Sequence, residues 1–227
     1  MTPKRRFDDD LEALRGRILK MGGLAEEMIQ YAVKVLTERD PAHLDVVRVK
    51  EDEVNALHIE IDDLCIKLIA LHQPAATDLR LIAAALKINS DLERIGDQAV
   101  NIAETGTWLA KLPRMTLYDI PRMVELATAM LKDSLDAFTR GDVELAKSVL
   151  QRDDEEDRLK AATFNELVAL MQSDASAIQR GLDVILVARN LERIADHATN
   201  IAEDVIFMVL AQDIRHHRSE TPQASGS

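Results

Sequence analysis

Apolar residues recur every three or four positions along nearly the whole chain, which is the period of α-helices that bury one face in a core. Only short segments rich in proline, glycine or aspartate interrupt this period. The pattern predicts six helices, near residues 7–38, 41–71, 76–110, 119–140, 142–171 and 176–211. We therefore expect an all-α protein.

Two aspartates mark predicted helix starts in equivalent places. Asp40-Pro41 combines a capping carboxylate with a proline whose missing N–H is not needed in the first turn, and Gly141-Asp142 marks the same point later in the chain. The segment "TGTWLAKLPRMTLYDIP", residues 105–121, holds one glycine and two prolines. It is the best candidate for a link between two halves.

An internal repeat relates the two halves. "LERIGDQAVNIAE" at 92–104 and "LERIADHATNIAE" at 191–203 share ten of thirteen residues at an offset of 99. Earlier identities, at an offset of 102, pair Met21, Leu24, Ala25, Met28, Thr37, Asp40, Asp52 and Glu53 with Met123, Leu126, Ala127, Met130, Thr139, Asp142, Asp154 and Glu155. Because the offset changes only between the second and third helices of each half, the repeat predicts two tandem three-helix bundles related by duplication and pseudo-twofold symmetry.

These units set the expected domain limits. We predict a first bundle over residues 1–110, a linker over 111–118 and a second bundle over 119–215. The tail 216–227 is too polar to fold alone.

Composition narrows the function classes. The 227 residues carry a net charge of −12, which argues against a nucleic-acid partner because such affinity depends on Lys and Arg. A single cysteine, Cys65, excludes an internal disulfide, and neither a signal peptide nor 18 consecutive apolar residues is visible. We expect a cytoplasmic protein that reaches a membrane only through partners.

Each repeated motif carries a polar stripe beside its apolar one. The stripes follow steps of 4, 4 and 3 and consist of Glu93, Asp97, Asn101 and Glu104 in the first half and Glu192, Asp196, Asn200 and Glu203 in the second. A solvated helix face, with Arg94 and Arg193 as ion-pair partners, is the simpler interpretation.

The preceding helix of each half favours a second interpretation. Antiparallel helices joined by a short turn set further carboxylates and an amide level with these stripes. The expected pairs are Glu51 with Asp97, Asn55 with Glu93, Asp153 with Asp196, and Asp157 with Glu192. Four oxygen-bearing side chains at one level repel one another, and a bound cation commonly offsets such repulsion. His58 and Asp62 could extend the first set.

The ligand types bear on which metal and which chemistry are expected. Carboxylates and amides without paired His or Cys suit Mg, Mn, Ca or iron and argue against a closed structural zinc site, although transition metals, zinc among them, stay open. A ferritin-like di-iron enzyme would need Glu-x-x-His, but Gly96 and Ala195 occupy the third position after Glu93 and Glu192. A metal-storage protein or metalloenzyme remains the alternative, and a metal-free scaffold is a third interpretation.

The turn "HQPAATDLR" at 72–80, together with the two repeated motifs, resembles the PhoU family of phosphate-specific transport regulators over about residues 7–215. The resemblance implies two three-helix bundles and a cytoplasmic adaptor rather than an enzyme. It implies repression of phosphate-starvation genes through contacts with the phosphate-transporter ATPase and a sensor histidine kinase. A homodimer is compatible with it.

The resemblance also implies metal at the repeated acidic motifs. The matching positions here are Glu93, Asp97, Glu192 and Asp196, faced by Glu51, Asn55, Asp153 and Asp157. The chain departs slightly from the family pattern at two positions. Ala195 replaces a glycine, which a helix tolerates, and Glu51 stands where aspartate is common.

Overall fold

The computed structural model describes residues 6–212 and 214, which form seven α-helices, one short 3₁₀ helix and no strand. The α-helices are α1 (Arg6–Glu38), α2 (Ala42–His72), α3 (Ala76–Leu109), α4 (Ile120–Arg140), α5 (Val143–Leu150), α6 (Asp153–Ser173) and α7 (Ile178–Leu210). The 3₁₀ helix, Ala175–Ala177, precedes α7. The predicted all-α class is confirmed.

Five of the six predicted helices have ends within two residues of the observed ones, but the fifth is wrong as a single element. It divides into α5 and α6 at Gln151–Arg152. Four consecutive acidic residues, beginning at Asp153, form the first turn of α6, where the helix dipole favours negative charge and so favours a new start. Arg152 fixes the turn, because its side chain donates to the Ser148 carbonyl oxygen at 3.2 Å and to Asp133 at 2.5 Å.

The aspartates expected at two helix starts do cap them. Asp40 accepts a hydrogen bond from the Ala42 backbone N–H at 2.9 Å, and Asp142 accepts one from the Leu145 N–H at 3.0 Å. Gly141 ends α4 with a φ of 63°, a left-handed conformation that favours glycine. The chain therefore reverses at both places without leaving the first N–H groups unpaired.

The helices form the two three-helix units that the repeat predicts, with α5 and α6 together in the place of α2. In the first unit α1, α2 and α3 pack on one another, and in the second α4 and the α5–α6 pair pack on α7. α3 and α7 also pack together along the middle of the molecule, so one apolar core runs through both units. Residues 110–119, which are not helical, connect the units, and Arg39 holds this segment by donating to the carbonyl oxygens of Ala110 and Leu112.

The predicted C-terminal tail cannot be compared with the structure. The tail 216–227 and residues 1–5 fall outside the described residues. Among the described helices, none is long and apolar enough to cross a membrane.

The middle helices of the two units bury different surfaces. α2 buries seven apolar side chains, namely Leu44, Val47, Val54, Leu57, Ile61, Cys65 and Leu68. α6 buries only Glu156, Thr163 and Leu167. At the repeat offset of 102, Glu156 replaces Val54 and Thr163 replaces Ile61. The second unit thus holds its middle helix through a more polar face.

Candidate metal sites

The first candidate site lies where α2 and α3 run antiparallel. The turn between them, residues 73–75, is short, so Glu51 on α2 comes level with Asp97 on α3. Beneath this level Gly96 packs beside Met28 and Val54, where a Cβ would meet them at ordinary van der Waals distances of 3.5 and 3.6 Å. Apolar packing below the surface therefore fixes the spacing of the polar groups above it.

The raised pKa of Glu51 identifies the charged groups that lie near it. Its pKa is raised, first by partial burial and then by the negative charges of Asp97, Asp52 and Glu104, while Arg48 acts in the opposite direction. Arg48 is itself engaged with Glu104, at 3.1 Å. The structure thus brings Glu51 and Asp97 together with little positive charge between them.

The four expected ligands of the first unit share a further property. None of their side chains takes part in a hydrogen bond or ion pair with any residue that the structure describes. The four ligands are Glu51, Asn55, Glu93 and Asp97. His58 and Asp62 lie within 3.6 Å of each other, and the buried Asn89 donates to Asp62 at 2.9 Å. These two residues are therefore engaged with the core rather than added to the carboxylate set.

The second candidate site contains a lysine. Lys160 Nζ lies 2.6 Å from Glu192 Oε1 and 3.1 Å from Asp157 Oδ1, so one ammonium group joins two expected ligands on α6 and α7. Burial works against the charge of Lys160, but these two carboxylates outweigh it and raise the pKa of the amine. The level pairing of Asp157 with Glu192 is thus made through a cation of the chain itself.

Asp196 lies in the same cluster. Its pKa is raised to about 6, first by partial burial of the carboxyl and then by the charges of Glu192, Asp153 and Asp157, while His197 lowers it. The residue remains exposed to solvent as a whole. Repulsion between carboxylates is therefore still present at this end of the cluster in spite of Lys160.

Glu156 lies beneath these residues and is only 1% exposed. Neither of its carboxyl oxygens has a hydrogen-bond partner. Burial raises its pKa to about 8, and Glu192 is the strongest of the negative charges that add to the shift. The side chain is thus a neutral acid at pH 7, directed towards the cluster from the core.

Lys160 and Glu156 are the two site residues that the sequence interpretation missed. At the offset of 102, Lys160 stands where the first unit has His58, and Glu156 stands where it has Val54. A position-by-position comparison of the two halves at their differences, and not only at their identities, would have identified both.

A cleft of about 450 Å³ opens beside Lys160 between α6 and α7. Phe164, Ile185 and Ala188 form apolar parts of its wall, and Arg189 lies at its edge.

The two sites differ in how well they fit a hard cation. Within residues 6–212 and 214, no three Asp, Glu, His or Cys side chains already converge in a way that would hold a metal ion. In the first unit, no cation of the chain is bonded to the expected ligands among the described residues. In the second unit, Lys160 already occupies the space between Glu192 and Asp157.

Comparison with known proteins gives the family. Residues 18–106 and 120–205 each match the PhoU domain, so one match falls in each three-helix unit. The chain belongs to the PhoU family. The internal repeat is therefore a duplication of the PhoU domain itself.

Relatives match over nearly the full length. A PhoU homologue of Pseudomonas putida, described as a phosphate-specific transport system accessory protein, is 41% identical over 93% of this chain and 84% of its own. Its counterpart in Pseudomonas aeruginosa, with the same description, is 40% identical over 93% of this chain and 88% of its own. These descriptions name an accessory protein of phosphate transport.

Solved PhoU structures share the fold. The crystal structure of PhoU from Pseudomonas aeruginosa matches with a TM-score of 0.87 and 40% identity, covering 91% of this chain and all of that one. The phosphate transport system regulatory protein PhoU from Streptococcus pneumoniae matches with a TM-score of 0.85 at 28% identity, covering 92% of this chain and 99% of that one. The predicted PhoU resemblance and fold are both confirmed.

Proposed function

We propose that this protein is a cytoplasmic negative regulator of phosphate uptake and phosphate-starvation signalling. The observation that carries the proposal is the match of both units to the PhoU domain, together with relatives of about 40% identity that are accessory proteins of phosphate-specific transport. In this proposal the protein acts by binding, not by turnover. Its partners are the phosphate-transporter ATPase subunit and the sensor histidine kinase.

The acidic faces are the surfaces we assign to this binding. The net charge is −12, and acidic side chains project from the α2–α3 and α6–α7 faces. Opposite charge on a partner speeds encounter and fixes orientation. At physiological ionic strength, salt largely screens exposed charges that are more than about 8 Å apart. Association with the ATPase and the kinase should therefore weaken as salt is raised.

We also propose that a divalent or transition metal ion, Mg, Mn, Fe or Zn, binds the paired acidic motifs. Support comes from the unbonded carboxylates of Glu51, Glu93 and Asp97 and from the raised pKa of Glu51. A bound cation would neutralise this repulsion and alter the charge that a partner meets. In the first unit the residues that would hold it are these three with Asn55.

A reporter experiment tests the regulatory role. Loss of the protein should leave phosphate-starvation genes switched on in phosphate-rich medium, and the purified protein should bind the ATPase and the kinase without consuming a substrate. A reporter that stays repressed in the deletion strain would contradict the proposal.

Charge reversal tests the surface. Glu93→Lys with Glu192→Lys should abolish repression and partner binding while circular dichroism shows an unchanged helix content, since a lysine at these half-buried positions can extend its ammonium group to solvent. The matched control reverses two exposed acids away from the motifs, Glu12 and Glu125. If the folded motif variant represses and binds normally, the interaction surface lies on another face.

The metal-storage or metalloenzyme alternative predicts a different result. Such a protein would bind metal or turn over a substrate with no dependence on the ATPase or kinase. Metal release or catalysis that persists in a variant unable to bind either partner would favour it.

A further inference from the structure

The two candidate metal sites differ at the position that follows the expected ligands by one helical turn. In the second unit this position is Lys160, one turn after Glu156 and three residues after Asp157, and its ammonium contacts Asp157 and Glu192. In the first unit the equivalent residue is His58, which lies 3.6 Å from Asp62 and not among the four ligands. Among the described residues, one site thus has a cation of the chain bonded to its expected ligands, and the other has none so bonded.

The contacts of Lys160 compete with a metal ion for the same oxygens. A divalent ion bound to Glu192 and Asp157 would lie within roughly 3–5 Å of the ammonium group, where charges of the same sign repel strongly even at an effective dielectric constant near 20. Lys160 would have to leave both carboxylates before the ion could bind. The second site therefore has an internal competitor that the first site lacks.

Glu156 places a further carboxyl group, and not an apolar side chain, beneath the second site. Its carboxyl group is 1% exposed, has no hydrogen-bond partner, and lies close enough to Glu192 for the two to interact. It adds a fifth oxygen-bearing group to the cluster, in the place of Val54 of the first unit. The ligands themselves are thus plentiful in the second unit, and Lys160 is the feature that opposes a metal ion there.

We propose that Lys160 is a built-in counter-cation that keeps metal out of the second PhoU domain, so that the chain binds divalent cations in its first domain alone. The proposal rests on the metal role proposed above, which it narrows to one site. It makes residues 58 and 160 the determinants of which domain is occupied.

The experiment titrates the chelator-treated full chain with MnCl₂ and measures free Mn²⁺ by electron paramagnetic resonance. For the unsubstituted chain we expect Asp97→Asn to abolish Mn²⁺ binding and Asp196→Asn to leave it unchanged. Lys160→Gln should add a second class of bound Mn²⁺, which disappears when Asp196→Asn is added.

The reciprocal substitution is the matched control. His58→Lys places an ammonium group at the equivalent position of the first unit and should weaken Mn²⁺ binding there by on the order of tenfold, since it brings a like charge to the ligands. Lys160→His serves as a second variant that gives both units the same residue. Circular dichroism melting of each variant establishes that it is folded.

The outcomes separate this proposal from the metal role itself. If Asp196→Asn removes as much bound Mn²⁺ from the unsubstituted chain as Asp97→Asn does, or if neither Lys160→Gln nor Lys160→His gains Mn²⁺ while the first site binds it, the counter-cation proposal is overturned. If Asp97→Asn leaves binding unchanged, the metal role of the first unit fails. A gain in the Lys160 variants would still support the counter-cation in that case. If neither the unsubstituted chain nor any variant binds Mn²⁺, both proposals are overturned.

Discussion

Glu156 is a carboxylic acid in a place where the other half of the molecule has a valine. Its side chain is buried and both oxygens lack partners, so ionisation in the folded state would leave an unpaired charge out of water. The group avoids this by keeping its proton, which is why its pKa rises to about 8 from an ordinary 4.5. Folding therefore becomes coupled to pH at this residue.

Glu156→Val should stabilise the protein by an amount that increases with pH. In the unfolded chain the acid loses its proton above about pH 4.5, whereas in the folded chain it keeps it to about pH 8. The folded state binds more protons between these values, so the stability from this group is complete below pH 4.5 and falls as pH rises towards 8. At pH 7 this pKa shift lowers the free energy of unfolding by about 3 kcal/mol relative to a carboxyl group of ordinary pKa.

Urea unfolding at pH 5 and pH 8 measures this effect. The difference in unfolding free energy between Glu156→Val and the unsubstituted chain should be larger at pH 8. Val54→Glu is the matched control and should destabilise the first unit with the same pH trend. A difference that does not vary with pH would show that Glu156 finds a partner in solution.

The sequence predicted part of the site. Fixed steps along antiparallel helices were enough to set Glu51 level with Asp97, because helical geometry determines level once the turn is known. The contacts of Lys160 were not predictable in this way, since a long flexible side chain can reach several carboxylates and its choice depends on packing. The metal role of the eight expected ligands stays a prediction.

The elements α2 and α6 occupy equivalent places but are held by different forces. α2 packs through an apolar face, whereas α6 presents Glu156 and Thr163 to the core, and the Thr163 hydroxyl has no hydrogen-bond partner. A buried hydroxyl without a partner costs roughly 1–3 kcal/mol. α6 should therefore separate from its unit more readily than α2 does.

Hydrogen exchange followed by mass spectrometry tests this expectation. Backbone amides in the middle of α6 should exchange faster than the equivalent amides of α2, because local opening needs less free energy where fewer apolar contacts are lost. Thr163→Ile, which restores the residue found at position 61, should slow exchange in α6 and leave α2 unchanged. Equal rates for the two helices in the unsubstituted chain would contradict the argument.

The division of the fifth predicted helix into α5 and α6 was not predictable from the sequence pattern. Its apolar period runs across Gln151–Arg152 without a proline or glycine, so periodicity alone predicts one helix. The break comes from a run of five acids, four of them in the first turn of α6, that favours a helix start, and from Arg152, whose bonds to Ser148 and Asp133 fix the turn. The bond to Asp133 on α4 is tertiary and could not be predicted from the spacing.

In the whole molecule, α3 and α7 join the two units through polar pairs as well as apolar packing. Lys87 on α3 lies 2.9 Å from Asp204 on α7, which is 4% exposed. His197 on α7 lies 2.8 Å from Asp91 on α3. Hydrogen-bonded polar pairs of this kind orient the two units because a hydrogen bond weakens steeply with distance and angle.

A double-mutant cycle measures the first of these pairs. Lys87→Met and Asp204→Asn should each destabilise the protein. The double variant should lose less unfolding free energy than the two single variants lose together, with a coupling of about 1–3 kcal/mol. A cycle is needed because Asp204 has a further interaction besides Lys87. Thermal unfolding gives the values, and a coupling near zero would show that the pair contributes no net stability.

The packing of α3 on α7 also has an evolutionary consequence. A single PhoU domain with this surface would bury it by pairing with a second copy of itself, and that association would depend on concentration. Fusion into one gene makes the pairing independent of concentration, as the partner is always present on the same chain. It also frees the two copies from identity, since a dimer of identical chains carries every substitution twice, whereas the fused chain can place Glu156 and Lys160 in one copy only.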